Sequence, residues 1–132
     1  MGTKVAFSVS DLDVLKLTDH SSLILVFDRI QSNFGNAYNK NNGIFTCTTS
    51  GTYVITWSIE VKENTAVRSY LEKNGQTMSL LSVTSPAISS SSSSQTSILH
   101  LTSGDRLYIE ALPIASTSGV IVGSSFAAFL LY

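Results

Sequence analysis

Apolar and small polar side chains alternate along almost the whole chain, and this period of two limits the fold more than any other feature. In "KVAFSVS", Val5, Phe7 and Val9 fall on one side while Ala6, Ser8 and Ser10 fall on the other. Such alternation suits a strand with one buried face, whereas helical periodicity is almost absent. "GIFTCTT" and "TYVITWSIEV" repeat the pattern as neighbouring strands joined by a short Ser50-Gly51 turn. Asn74-Gly75 is the strongest hairpin signal in the chain. "LILVFD" (residues 23–28) is a continuous apolar run, which predicts a strand covered on both sides. Pro86 and Pro113 fall near strand ends, where a missing N–H is tolerated. The serine-rich segment "ISSSSSSQTS" at 88–97 reads as one long, mobile loop. About eight to ten short strands with turn residues between them predict an all-β sandwich or barrel.

Charge is scarce. Only 13% of the residues are charged, about half the usual share, against 43% hydrophobic, and the net charge is −1. With no cluster of Lys and Arg, no nucleic-acid partner is expected. Beyond Lys73 the charged side chains are Asp105, Arg106 and Glu110. The stretch "GIFTCTTSGTYVITW" has none, so both faces of its strands are expected to lie near other protein, in a chain built to associate. Its 132 residues fit one domain, 1–132, with a real core. The lone Cys47 forbids an intrachain disulfide and reads as a small buried hydrophobe. The apolar stretch near 119–132 is too short and interrupted to insert in a membrane. "MGTKVAFSVS" has no signal-peptide character, and no Asn-x-Ser/Thr acceptor occurs.

Catalytic chemistry finds little to work with. Of the two histidines, His20 reads as a turn residue and His100 as a strand residue opposite to Leu99 and Leu101. No Gly-x-Ser-x-Gly elbow is present, and no His, Cys or carboxylate spacing suits a metal. Asp105 in "SGDRLY" reads as a turn cap accepting backbone N–H bonds. Asp11, Asp13 and Asp19, with Lys16, read as a solvated loop. An enzyme is not expected.

The order and spacing of "VAFSVS", "VFD", "SNFGNAYNKNNGIFTCTTSGTYVITW", "KNG", "LHLTSGDRLYI" and "SSFAAFLLY" resemble the C1q globular-head family over nearly the whole chain. Phe7, Phe27, Asn33, Gly35, Tyr38, Gly43, Phe45, Thr46, Gly51, Tyr53, Asn74, Gly75, Leu101, Gly104, Asp105, Phe126 and Leu130 stand at its typical positions. Ile55 replaces the usual Phe and Ala128 the usual Gly, changes that repacking absorbs. The resemblance implies a two-sheet jelly-roll sandwich of about ten strands, similar to tumour necrosis factor and assembling as a homotrimer. It also implies a secreted, extracellular recognition module. Phe7, Tyr38, Phe45, Tyr53, Phe126, Phe129 and Tyr132 are then expected to divide between the core and the three-fold contact. Calcium-binding members carry acidic residues where this chain has Val83, Thr84 and Ser91, so that site is expected to be absent and no cofactor is implied.

A stand-alone head of this kind is similar to invertebrate innate-immune lectins that bind carbohydrate or microbial surface patterns. Uncharged polar side chains match sugar hydroxyls as donors and acceptors. Candidate ligand-binding residues are Asn39, Lys40, Asn41 and Asn42, the loop from Ser85 to Ser94 including Ser91, and Tyr70 or Tyr108 as stacking surfaces. The competing readings are a cytokine-like or adhesion ligand for a protein receptor, and a structural jelly roll.

Overall fold

A computed structural model describes residues 4–17, 21–114 and 119–132. His20 and Asp19 lie outside the described residues. In chain order the strands are β1 (Ala6–Asp11), β2 (Leu15–Leu17), β3 (Leu23–Ile24), β4 (Arg29–Phe34), β5 (Tyr38–Asn39) and β6 (Ile44–Thr46). They continue as β7 (Gly51–Val61), β8 (Ala66–Lys73), β9 (Gln76–Thr84), β10 (Ser91–Leu101), β11 (Arg106–Pro113) and β12 (Gly119–Leu130). Two six-stranded antiparallel sheets result. The first runs β10-β7-β12-β1-β4 with β2 alongside β12, and the second runs β5-β6-β11-β8-β9 with β3 alongside β11. This is the two-sheet jelly-roll sandwich anticipated from the sequence.

The sheets meet over an interior built from alternate residues of each strand. Phe7 lies at its centre, 5.2 Å from the ring of Tyr38, 5.1 Å from Phe45 and 4.9 Å from Phe126. Offset and edge-on contacts of this kind stabilise beyond the area they bury. Trp57, Ile55 and Ile59 extend the core along β7, all fully buried. The Trp57 indole N–H donates to Ser69 Oγ at 2.9 Å, and that hydroxyl reaches the Leu81 carbonyl at 3.3 Å. A polar chain thus crosses from the first sheet to the second with its buried groups paired.

Three sequence expectations are corrected. "GIFTCTT" and "TYVITW" are not a hairpin: β6 pairs with β5 and β11, while β7 pairs with β10 and β12. The Ser50-Gly51 corner carries the chain from one sheet to the other, and a Cβ on Gly51 would stand 2.6 Å from the Tyr132 carbonyl oxygen. Second, "LILVFD" is covered on one side only. Leu25 and Phe27 are buried but Val26 and Asp28 are exposed, and regular pairing ends at Ile24. From Phe27 onward a side chain replaces the neighbouring strand. The Tyr38 hydroxyl donates to the Phe27 carbonyl at 2.8 Å and accepts its N–H at 3.0 Å. Burial pushes that phenol up to about 12. Third, the serine run is no loop beyond residue 90. β10 begins at Ser91 and pairs with β7 residue for residue, from Ser91↔Val61 to Leu101↔Gly51. Serine has little preference for strands on its own; the long partner β7 recruits it.

The turns follow their chemistry. Asn74 and Gly75 have φ of 53° and 85°, the left-handed pair that a two-residue hairpin needs. Gly43 combines a φ of 79° with a close approach, since a Cβ there would run into the Leu25 carbonyl. Asp105 caps its turn as expected: Oδ2 accepts the Thr102 N–H at 2.9 Å and Oδ1 accepts the Asn74 amide at 3.0 Å. The Asn74 side-chain oxygen in turn accepts the Arg106 N–H at 2.9 Å, tying two neighbouring turns together.

Replacing Tyr38 by Phe strands the Phe27 N–H and C=O away from water, and is expected to cost about 1–3 kcal/mol in urea unfolding; an unchanged midpoint would show the clamp to be idle. The Thr102 N–H and Asn74 amide hold the Asp105 carboxyl below its ordinary value of 3.8. Its stabilising contribution is therefore present above about pH 4 and disappears as pH falls through the lowered folded-state value. Asp105→Asn is expected to melt earlier than the parent at pH 7, with the gap narrowing below about pH 4. A gap that is the same at pH 7 and pH 2.5 would contradict it.

Candidate functional site

Because side chains alternate, each core residue on the first sheet leaves a neighbour pointing outward. Strand register lines these outward residues up in rows. One row runs Phe34, Ala6, Phe129, Val54, Ile98 across β4, β1, β12, β7 and β10. Phe34, Phe129 and Ile98 are 52%, 47% and 63% exposed, far more than large apolar groups in a finished core. The next row is Ser32, Ser8, Ala127, Thr56, Thr96, in which Thr96 and Thr56 share a hydrogen bond. A third row is Ser10, Ser125, Ser58, Ser94. Polarity therefore rises from ring and aliphatic groups to pure hydroxyl within four residues of strand, about 13 Å. Charge stays at the margins: Lys4 over the Phe34 ring at 5.1 Å, Arg29 on the edge strand beside Ser10, and Glu60 beyond the serines.

The serine end of this face is concave. A cleft of about 540 Å³ opens there, lined by Ser10, Ser58, Ser94 and Ser125 with Leu12 and Glu60 at its sides. Ser58 and Ser125 share a hydrogen bond of 2.6 Å, Gln31 donates to Ser10 at 2.9 Å, and Ser90 donates to Glu60 at 3.1 Å. β12 breaks register against β7 between Ile121 and Gly123, a bulge that bends the floor of the cleft.

The candidate ligand-binding residues from the sequence do not converge. Asn39, Lys40, Asn41 and Asn42 are exposed at the β5–β6 turn, but Asn39 and Asn42 use their side-chain oxygens on the N–H groups of Asn41 and Ile44. Tyr70 and Tyr108 lie half-buried on the outer face of the second sheet, opposite Glu110 and Glu72 respectively. Burial, then the nearby Glu110 and Glu72, raises the Tyr108 phenol. Ser85 is buried at 5% exposure and binds the Lys62 carbonyl at 2.7 Å, so it is a structural group rather than a contact for ligand. Ser91 is a half-buried strand residue, the first of β10, where the loop 85–90 ends. Of the aromatics, Phe7, Tyr38, Phe45, Tyr53 and Phe126 are core, while Phe129 and Tyr132 are 47% and 81% exposed. The cleft itself went unread, because its serines belong to four strands far apart in sequence.

Of the positions at which the sequence reading expected a calcium site to be absent, Val83 is buried, Thr84 exposed and Ser91 half-buried, and none is acidic. A different acidic group forms: Asp11, Asp13 and Asp28 bring carboxylate oxygens within 4.8 Å of one another. Asp28 joins Asp11 and Asp13 here. Asp11 Oδ1 already accepts the Asp13 N–H at 3.0 Å, and one oxygen from each residue is half or less of what calcium takes. His100 is exposed beside Ile98, as its strand parity requires. Cys47 is buried, with Sγ 3.2 Å from the Thr49 carbonyl and 3.7 Å from the Tyr53 hydroxyl. Among the described residues, no helix is long and apolar enough to cross a membrane.

Comparison with known proteins bears on this architecture. A family model described as C1q domain matches residues 6–131. The globular domain of zebrafish complement 1qA protein superposes with a TM-score of 0.77 at 20% identity, over 97% of this chain and 98% of that one. The crystal structure of murine APRIL at pH 5.0 gives 0.74 at 12% identity, over 97% and 99%. At such identities the two solved structures speak for the fold alone.

Proposed function

The chain belongs to the C1q domain family, a family of recognition and ligand-binding modules, and from that premise we propose that it is a secreted, homotrimeric innate-immune lectin. The observation that carries this reading is the outer face of the first sheet, which has exposed Phe34, Phe129 and Ile98 in one row and charge only at its margins. A monomer would leave this apolar row in water, at about 25 cal/mol per Å². Two further copies around a shared axis would cover it, and obligate interfaces of that kind often bury ~2,000 Å² or more. Away from this row the surface is rich in Asn, Ser and Thr, groups suited to neutral sugars, and three copies would raise a weak single-site affinity through avidity. Family members are typically extracellular, which supports secretion. No calcium takes part at the positions of Val83, Thr84 and Ser91, where no carboxylate is offered.

A protein receptor is the second reading. It is favoured by Leu80, 48% exposed on β9 and paired with Tyr70, which puts an apolar and aromatic pair on the outer face of the second sheet.

Light scattering at micromolar concentration is expected to give three times 14.2 kDa. Phe129→Glu or Ile98→Glu is expected to shift the particle toward one subunit while circular dichroism still reports a folded sheet. A parent protein that scatters as a monomer would remove the trimer. On a glycan array the assembled protein is expected to retain neutral glycans equally with calcium or with a chelator. Silence across the array would remove the lectin reading, and binding lost on chelation would remove its calcium independence. Capture from cell membranes that survives glycosidase treatment would favour the receptor instead.

A further inference from the structure

We infer that the outer face of the second sheet docks an arginine of a protein partner, seated between Glu72 and Glu110 against the rings of Tyr70 and Tyr108. The inference does not depend on the lectin reading; it rests on the second reading, a protein receptor, and gives that partner a place and a chemistry. This face lies across the sandwich from the Phe34–Phe129–Ile98 row, so copies that meet on the first sheet do not cover it. Register builds the site. Tyr70 stands opposite Glu110, and Glu72 opposite Tyr108, so the four residues form a square on β8 and β11. The rings occupy one diagonal and the carboxylates the other. Neighbouring strands lie about 4.8 Å apart and alternate residues about 7 Å along a strand, which puts both carboxylates within reach of one long cation. Leu80 and Ile24 continue the Tyr70–Glu110 row on β9 and β3. Leu80, 48% exposed, offers an apolar flank to the methylene stem of that cation.

The carboxylates lack a cation of their own. Glu72 is 8% exposed although its strand parity turns it outward. Its hydrogen-bond partner is neutral: β9 shifts register between Leu71 and Glu72, which sets Thr77 opposite, and the Thr77 hydroxyl donates to Oε2. A carboxylate buried without a cation is costly, and an incoming guanidinium relieves that cost. The half-buried Glu110 carboxylate forms no hydrogen bond or ion pair with the described residues. Arg68 and Arg106 flank the square along the strands, both exposed. Among the described residues neither pairs with the two glutamates, and the cation–ring contact they form is Lys4 over Phe34, on the other sheet. Both carboxylates also act on one ring, since Glu110 and Glu72 add to burial in raising the Tyr108 phenol. Charge along the strands thus runs positive, negative, negative, positive. A polybasic segment meets Arg68 and Arg106 and is repelled, whereas a lone arginine with acidic neighbours matches all four. Guanidinium suits the square better than ammonium, because it is planar, stacks on a ring and offers paired donors to a carboxylate.

The test is amide chemical-shift mapping and calorimetry on the assembled protein. The probe is acetyl-Glu-Thr-Arg-Thr-Glu-amide. Comparison peptides replace its arginine by glutamine or lysine, or every residue by arginine, and phosphocholine supplies a cation that is not a peptide. The probe is expected to shift the amides of Tyr70, Glu72, Tyr108 and Glu110 and to bind more weakly as salt rises. Its glutamine analogue is expected to lose about tenfold in affinity, and Glu110→Gln to weaken the probe about fivefold. Tyr70→Leu is expected to weaken it about threefold and serves if circular dichroism shows Glu110→Gln to be misfolded. No shift of these amides at about millimolar probe, or binding undiminished in the glutamine analogue or in both variants, would overturn the site. The lysine peptide binding as tightly would overturn the choice of arginine, and penta-arginine binding as tightly would overturn the charge order. Equal shifts by phosphocholine would replace the peptide by a quaternary ammonium ligand and overturn the protein partner. A silent glycan array leaves this site standing. Glycosidase-resistant capture from membranes without peptide shifts would keep the receptor reading and overturn its location here.

Discussion

Phe7 touches three other rings, from both sheets, and this aromatic contact sets the distance and the rotation between the two layers. Once Phe7 points inward, parity along β1 places Ala6, Ser8 and Ser10 outward. Registry with β12 and β7 then carries the same choice across the sheet. A slip of one residue would put Ser8 into the rings and Phe7 into water, so the packed interior enforces the pattern on the exterior. The Trp57–Ser69 bond pins the layers a second time, with a direction that apolar contact lacks.

From that constraint follows a face with a gradient rather than a uniform character. Its apolar row leaves Phe34, Phe129 and Ile98 exposed, while in its serine row Ser94 is exposed and Ser10, Ser58 and Ser125 are half-buried. Keeping charge to the border matters for the apolar end. A lysine within the apolar row would have to be desolvated if copies met there.

Much of the fold was legible because local rules and tertiary packing agree. Val5, Phe7 and Val9 are buried as their spacing demands, Asn74-Gly75 turns a hairpin, and Asp105 caps its turn. Legibility failed where a distant partner overrode local preference. Ser91 to Ser97 have little strand tendency, yet β7 supplies a full row of N–H and C=O groups for them to pair with. The run from Leu23 to Asp28 looked buried on both sides because Val26 is apolar, but burial there is decided by Tyr38 reaching back eleven residues. The site was harder still. Nothing near Ser10 in the sequence announces Ser58, Ser94 or Ser125, and Asp28 meets Asp11 only once β4 lies beside β1.

β10 divides its labour by parity. Ser97, Leu99 and Leu101 turn toward the interior, whereas Ser92, Ser94, Thr96 and Ile98 look outward from a strand held by backbone bonds to β7 alone. Ser92, Ser94 and Thr96 contribute little to core packing, so exchanging them changes what the face presents without unsettling what holds it up. Substitution at every second position of this one strand therefore redraws the exposed face while the scaffold beneath stays intact.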